Sequence, residues 1–166
     1  IALEELICCG AEYFIRIGSA GASQKDIGIG DLIIPTGTVR EDGASRMYID
    51  ESYPAVPDFS LLSALVNSCR KSGFVFHLGI TRSHDSFYVN DEKQKMEKAC
   101  RTNVLASDME TAALFTIASL RNVKAASILN NVVLYESEIK DGIASYADEG
   151  EKKEIIASLD ALLSIE

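Results

Sequence analysis

The chain has 166 residues, a net charge of −9 and 47% hydrophobic residues, a balance typical of one soluble globular domain. The acidic excess argues against a nucleic-acid-binding surface, which needs clustered Lys and Arg to neutralise phosphates. No apolar stretch approaches the ~20 residues of a membrane helix, and the opening IALEELICCG does not resemble a signal peptide. We therefore expect a cytoplasmic protein.

The cysteine pattern favours reduced thiols. Cys8, Cys9, Cys69 and Cys100 form no C-x-x-C pair, and the adjacent Cys8 and Cys9 suit neither a usual disulfide nor a zinc site. The two histidines lie near no cysteine cluster in the sequence. The sequence therefore predicts no metal site.

The spacing of apolar residues predicts alternating helices and strands. A helix ends near Gly10, the strand YFIRI (13–17) follows, and the small residues GSAGAS (18–23) suggest a turn. A second strand begins with LII (32–34) and continues through 36–42. The later elements are a helix at 59–73, a strand at 74–83, a helix at 93–102, a strand at 103–107, a helix at 109–122, a strand at 123–133 and a helix at 149–165.

This alternation predicts an α/β fold with a mixed, mainly parallel sheet flanked by helices, in a single domain over 1–166. Ligands of such sheets gather at the carboxyl ends of strands. FIRIGSAGA (14–22) and VLASDMET (104–111) are both predicted strand-to-loop transitions. A site is expected where they meet.

Arg16 is the first candidate site residue, because an arginine in an apolar strand is costly unless it has a partner. Its guanidinium, the Ser19 hydroxyl and the backbone of the small residues after it could form a phosphate cradle. A tight turn with Arg16 paired to a structural carboxylate explains the same residues. The residues alone leave both interpretations open.

The second candidate stretch is SDMETAALF (107–115). Asp108 and Glu110 lie where a helix begins, and the helix dipole favours carboxylates there. A carboxylate in a site could instead accept hydrogen bonds from a pair of sugar hydroxyls. Met109 would then offer an apolar face to a ribose.

The third stretch is SHDSFY (83–88). Phe87 and Tyr88 could stack on a flat heterocycle, although paired aromatic residues are more often core. His84 and Asp85 could form an acid–base pair, but a histidine satisfied within a loop explains them more simply. The mixed charges of 91–98 are typical of a solvated helix face.

In this order, these stretches resemble the nucleoside phosphorylase family, which includes uridine phosphorylases and hexameric purine nucleoside phosphorylases. VREDGAS, YPAVPDF and SFY are most similar to the uridine phosphorylase branch. The resemblance implies a three-layer α/β/α domain. It also implies that Arg16 and Ser19 bind phosphate, that Met109, Glu110 and Ser19 bind ribose, and that Phe87 contacts the sugar–base region.

The activity implied by this resemblance is phosphorolysis of a nucleoside to a free base and (deoxy)ribose 1-phosphate. Arg16 and Glu110 would be the catalytic residues, acting by positioning and electrostatics. The resemblance implies inorganic phosphate as co-substrate, no metal or organic cofactor, and a homo-oligomer, either a dimer or a hexamer.

The sequence departs from the family pattern on the base side and at its start. Asp91 and Lys93 stand where uridine phosphorylases carry the Gln and Arg that read the pyrimidine, so they are the candidate base-binding residues. The preferred base, pyrimidine or purine, is left open. The family's first third, with a phosphate loop, is expected to be missing.

Two alternative functions follow from the same residues. A hydrolytic nucleosidase would use water, although such relatives generally lack the arginine at the position of Arg16. A truncated, non-catalytic paralogue would bind a nucleoside without converting it.

Overall fold

The structure, a computed structural model, describes residues 1–86, 88–135 and 146–165. Its elements are α1 (Ala2–Cys8), β1 (Tyr13–Ala22), β2 (Leu32–Glu41), α2 (Gly43–Arg46), α3 (Phe59–Ser72), β3 (Phe76–His84), α4 (Glu92–Arg101), β4 (Ala106–Asp108), α5 (Thr111–Leu120), β5 (Lys124–Val133) and α6 (Tyr146–Leu163). The alternation confirms the predicted α/β class.

The sheet is mixed and closes on itself. Its strands form a closed barrel in the order β1-β4-β3-β2-β5. The pairs β1–β5, β2–β3 and β3–β4 are parallel, whereas β1–β4 and β2–β5 are antiparallel and pair only two residues of each strand. We call these two short antiparallel contacts the seams. They join a parallel pair, β1 and β5, to a parallel group formed by β2, β3 and β4.

Helices cover both faces of β5, because its side chains alternate in direction. Ala126 and Ile128 belong to a core cluster with residues of α3 and α6, including Leu61, Leu65 and Ala157. Ala125 packs instead with Ala112, Phe115 and Ala118 of α5. The sheet is therefore flanked by helices, as predicted, in a three-layer α/β arrangement.

Local signals explain where α3 begins and ends. The Asp58 carboxylate accepts a hydrogen bond from the Leu61 N–H, a helix N-cap. Gly73 ends the helix with φ of 68°, a left-handed conformation that glycine adopts without strain. These two signals fix the helix within one residue of its predicted span.

The predicted turn at GSAGAS is wrong. β1 continues to Ala22, because Gly18 to Ala20 pair with Leu129 to Asn131 of β5. A register shift between Ala20 and Gly21 marks a bulge near the end of the strand. The small residues are therefore strand residues over which other groups pack, and do not form a turn.

The chain around β4 also differs from its predicted boundaries. β4 spans 106–108 and includes Asp108, whereas a strand was expected over 103–107. The following helix begins at Thr111 and not at 109. Met109 and Glu110 therefore form the short link between β4 and α5, at the position where a strand-to-loop transition was predicted.

All four cysteines are free, and burial raises the pKa of the Cys69 thiol to about 11. The described residues contain no cluster of three or more side chains suited to hold a metal ion. No helix in the described ranges has the length and apolar character needed to cross a bilayer.

Candidate active site

Arg16 and Glu110 lie in direct contact. The Arg16 Nη2 atom is 2.5 Å from Oε2 of Glu110, and Nη1 is 3.3 Å from Oδ2 of Asp108. The two carboxylates differ in environment, because the side chain of Asp108 is fully buried and that of Glu110 is 60% exposed. One partner is thus fixed inside the protein, and the other faces solvent.

The β1–β4 seam explains how residues 94 positions apart meet. Gly21 pairs with Ser107 and Ala22 with Ala106, in antiparallel direction. Continuing in that direction, the chain after β4 runs back alongside β1. Residues 108–110 therefore come opposite the part of β1 that precedes the bulge, within reach of the long Arg16 side chain.

Gly18 provides the space for the Arg16 guanidinium. A Cβ atom built on Gly18 would lie 2.9 Å from Nη2 and 3.0 Å from Nη1 of Arg16. Residues two apart on a strand share a face, so Arg16 folds forward over Gly18 toward Asp108 and Glu110. The absence of a side chain at Gly18 leaves the space that the guanidinium occupies.

Buried hydrogen bonds hold Asp108 in place. Its Oδ1 accepts a bond from the Ser83 hydroxyl at 2.5 Å, and its Oδ2 accepts from the Thr111 N–H at 3.1 Å and from the Thr111 hydroxyl. The Thr111 hydroxyl also contacts that of Ser127 at 3.2 Å. The network fixes Asp108, and Asp108 in turn orients Arg16.

The geometry agrees in part with both interpretations of Arg16, the structural ion pair and the anion site. Arg16 pairs with carboxylates, as the structural alternative states, yet one of them is Glu110, the residue that the resemblance assigns to ribose. Its buried Nη1 has no hydrogen-bond partner among the described residues. That atom is closed to solvent and lies against Asp108, so contact with an anion falls to the 19% of the Arg16 side chain that is exposed.

Ser19 is close in sequence to Arg16, and Met109 directly precedes Glu110. Ser19 is exposed, pairs with Asn130 across β1 and β5, and its hydroxyl makes no hydrogen bond within the described residues. Met109 is half-buried, and its N–H donates to Oε2 of Glu110 at 3.3 Å. Strand alternation places the Ser19 side chain on the face opposite Arg16, and no contact within the described residues joins the two.

The other predicted site residues are not part of this cluster. Asp91 precedes α4 and forms an ion pair with Lys95 at 3.2 Å, and Lys93 is exposed on α4. No hydrogen bond or ion pair in the described ranges joins either residue to Arg16 or Glu110. The role of both in base binding stays a prediction, and Phe87 lies outside the described residues.

His84 and Asp85 do not form a pair with each other in these contacts. The His84 Nδ1 atom is 2.9 Å from the Ser86 carbonyl oxygen, and Asp85 accepts a hydrogen bond from the Gly43 N–H at 2.8 Å. His84 is buried at the end of β3. This geometry supports the interpretation of a hydrogen-bonded structural histidine.

Two acidic residues have roles that the sequence did not predict. Asp108 was singled out with Glu110, as a helix-terminal or sugar-binding carboxylate, and not as the buried partner of Arg16. Glu154 lies in the charged run EGEKKE, which is typical of a solvated helix face, yet it is only 3% exposed. Its Oε2 accepts a hydrogen bond from the Gly18 N–H at 3.3 Å.

Comparison with known proteins identifies relatives of the whole described fold. A sequence profile of the Phosphorylase superfamily matches residues 1–133. A solved uridine phosphorylase from Vibrio fischeri superposes with a TM-score of 0.93 at 41% identity, over 99% of this chain and 69% of that one.

Two curated relatives are named for different substrates. A uridine phosphorylase of Treponema pallidum is 39% identical over 78% of this chain and 54% of its own length. A guanosine phosphorylase of Halorubrum lacusprofundi is 38% identical over 77% of this chain and 53% of its own length. The chain thus spans about half the length of these relatives. The profile match, the identities and the shared fold show that the chain belongs to the Phosphorylase superfamily.

Proposed function

We propose that the protein catalyses phosphorolysis of a nucleoside, giving a free base and (deoxy)ribose 1-phosphate. The contact between Arg16 and Glu110 is the observation that carries this proposal. It places a cation for an anionic co-substrate beside an exposed carboxylate that can accept hydrogen bonds from two sugar hydroxyls. Such an enzyme is a pentosyltransferase.

The roles of the two residues follow from the charge that develops during the reaction. As the base leaves, C1′ of the sugar becomes positively charged, and phosphate attacks from the opposite face. Arg16 binds and orients the phosphate, while Glu110 holds the 2′ and 3′ hydroxyls, so that the reacting atoms are aligned. Ser19 and Met109 complete the phosphate–ribose region.

We propose inorganic phosphate as the co-substrate, without a metal or organic cofactor. The displacement involves no redox change, and the attacking group is already an anion, which a guanidinium binds in bidentate geometry. Binding therefore exchanges part of the Arg16–Glu110 ion pair for contacts to phosphate on one side and to sugar on the other.

Uridine is the first candidate substrate, because the Treponema and Vibrio proteins are uridine phosphorylases. A purine nucleoside is the second candidate, supported by the Halorubrum guanosine phosphorylase at 38% identity. Phe87, Asp91 and Lys93 are the proposed base-side residues. Their chemistry differs from the Gln and Arg of the uridine phosphorylase pattern, which is why both bases are tested.

The experiment measures base release from uridine, thymidine, inosine, guanosine and adenosine, with and without phosphate. Phosphate-dependent release and formation of ribose 1-phosphate support the proposal. Arg16→Ala should raise the KM for phosphate far more than that for nucleoside, whereas Arg46→Ala, which removes an exposed ion pair with Glu51, should change neither.

Two results would overturn the proposal. Equal base release without phosphate would identify a hydrolase. Nucleoside binding without conversion of any of the five substrates would identify a binding protein.

We further propose a cytoplasmic homo-oligomer, dimer or hexamer, that acts in nucleoside catabolism and pyrimidine salvage. Free cysteines support a reducing compartment. Three apolar side chains on the strands are each more than 40% exposed: Ile17, Leu78 and Ile80. Exposed apolar surface of this kind supports an interface with another copy of the chain. Light scattering would measure the mass, and a monomer at micromolar concentration would contradict the assembly.

A further inference from the structure

Glu154 is a buried carboxylic acid beside the Arg16 cluster, and the proposed reaction assigns it no role. Its carboxylate accepts a hydrogen bond from the Gly18 N–H at 3.3 Å. Gly18 is also the residue over which the Arg16 guanidinium lies. The carboxylate of α6 and the guanidinium of β1 therefore approach the same glycine from the two faces of the sheet.

The close approach of α6 to the sheet explains how Glu154 reaches this position. Gly150 lies one turn before Glu154 on the same face of the helix. A Cβ atom built on Gly150 would lie 2.0 Å from Oδ1 of Asn130. The missing side chain lets the helix pack directly on β5, so that Glu154 reaches the backbone of β1.

The charges around Arg16 are unbalanced when every acid is ionised. One guanidinium then contacts two carboxylates, those of Asp108 and Glu110, and acts electrostatically on a third, that of Glu154. An anion bound at Arg16 adds further negative charge in a partly buried region, where charges interact strongly. A proton on one of the three acids would relieve this repulsion.

Glu154 is the acid whose environment favours that proton. Burial raises its pKa to about 7, although the Gly18 N–H and the Arg16 charge act in the opposite direction. An anion at Arg16 offsets the guanidinium charge and therefore favours the protonated acid further.

The groups that face Glu154 come from each element packed on α6. β1 contributes the Arg16 charge, β5 contributes the Asn130 backbone N–H, and α6 itself contributes Glu151, whose charge raises the Glu154 pKa. α3 and β2 pack against α6 through apolar residues of one core cluster, including Leu32, Leu61 and Leu65. Of the elements packed on α6, β1 is therefore the one that presents a positive charge to Glu154.

We propose that Glu154 is a positioning residue of the anion site, and that the anion binds Arg16 together with a proton on Glu154. The neutral acid keeps its place against Gly18 and leaves the Arg16 charge available, whereas the ionised form opposes the anion. This inference rests on the proposed function, since it assumes that Arg16 binds phosphate. It adds that binding of the anion at this site is coupled to binding of a proton by Glu154.

Sulfate is a suitable probe, because it stays a dianion where phosphate itself titrates. Its affinity is measured by calorimetry between about pH 6 and about pH 8.5 at fixed ionic strength, on both sides of the Glu154 pKa. We expect the affinity of the unmodified protein to fall about tenfold over this range. Measurements in two buffers of different ionisation enthalpy should show proton uptake on binding.

Glu154→Gln should bind sulfate with no fall over this range and no proton uptake. The matched control is Glu151→Gln, which removes an exposed acid one turn earlier; it should keep the fall, at a slightly lower pH because the Glu151 charge raises the Glu154 pKa. If Glu154→Gln does not fold, Glu154→Asp replaces it and should shift the pH at which affinity falls. Identical pH profiles of the variant and the unmodified protein would overturn the inference.

The result distinguishes this inference from the proposed function. Phosphate-dependent nucleoside cleavage with pH-independent sulfate binding would overturn the role of Glu154 alone. No sulfate binding at any pH, together with no phosphorolysis, would overturn both.

Discussion

Asp108 holds Arg16 from inside the protein: its fully buried carboxylate lies 3.3 Å from the Arg16 guanidinium and is itself fixed by Ser83 and Thr111. Glu110, on the other side of the guanidinium, is exposed. The guanidinium thus has one carboxylate partner that is buried and fixed and a second that is exposed to solvent.

Asp108→Asn should therefore weaken phosphate use without abolishing the fold. The amide keeps the size of the side chain but replaces one acceptor oxygen with a donor, so that either Ser83 on one side or Thr111 and Arg16 on the other lose their acceptor, at a cost of roughly 1–3 kcal/mol. We expect a lower free energy of unfolding in urea and a raised KM for phosphate. Asp160→Asn, an exposed change on α6, is the control, and an unchanged KM for phosphate would contradict the role of Asp108.

Gly18→Ala should move the Arg16 guanidinium while leaving the strand intact. The new Cβ atom would lie 2.9 Å from Nη2, closer than such atoms approach, so the guanidinium must shift from its two carboxylates. We expect about a tenfold or greater loss in kcat/KM for phosphate, roughly 1.4 kcal/mol. Gly21→Ala in the same strand meets only Val133 at 3.6 Å and should be nearly silent. Equal kinetics of the two variants would refute the argument.

Gly150→Ala should destabilise the whole domain. Its Cβ atom would overlap the Asn130 side chain at 2.0 Å, and both groups lie where α6 packs on β5. Overpacking of this kind costs typically about 1–3 kcal/mol, which thermal unfolding would register. Adding Asn130→Ala removes the overlapping atoms, so the double variant should be more stable than the sum of the single effects. Strict additivity would show that the overlap is not the cause.

The free energy of unfolding should fall as pH rises through the range in which Glu154 ionises. Its pKa in the folded protein is about 7, above the ordinary 4.5, so the folded state binds more protons between these values. The stabilisation is fully present below about pH 4.5 and is lost as pH rises through about 7, by up to roughly 3 kcal/mol.

Urea unfolding at several pH values checks this expectation. Glu154→Gln should remove most of the decline, whereas Glu151→Gln should retain it. A decline of the same size in the Glu154→Gln protein would assign the pH dependence to other groups.

The sequence allowed the strands and most helix boundaries to be predicted, because their apolar spacing and caps are local signals. Asp58 and Gly73, for example, bracket α3. It failed at GSAGAS, since glycine favours turns locally but here serves close packing across β1. This packing involves Arg16, Glu110 and β5. They are distant from one another in the sequence, so local signals do not show it.

The candidate site was predictable in part for the same reason. Arg16 and Glu110 were singled out separately, and their direct contact depends on the antiparallel direction of β4 against β1. Glu154 could not be distinguished from its neighbours in EGEKKE, because charge patterning does not show which residue of a helix faces a strand.

The contact between Arg16 and its carboxylates depends on the narrow β1–β4 seam staying closed. Arg16 belongs to the parallel pair, and Asp108 and Glu110 belong to the group on the other side, joined here by only two residue pairs. Local opening at that seam would carry the cation away from its carboxylates while most of the sheet stayed intact. Hydrogen exchange of the Ser107 amide and loss of catalytic competence should therefore share one opening equilibrium, and a bound substrate that bridges the halves should slow both.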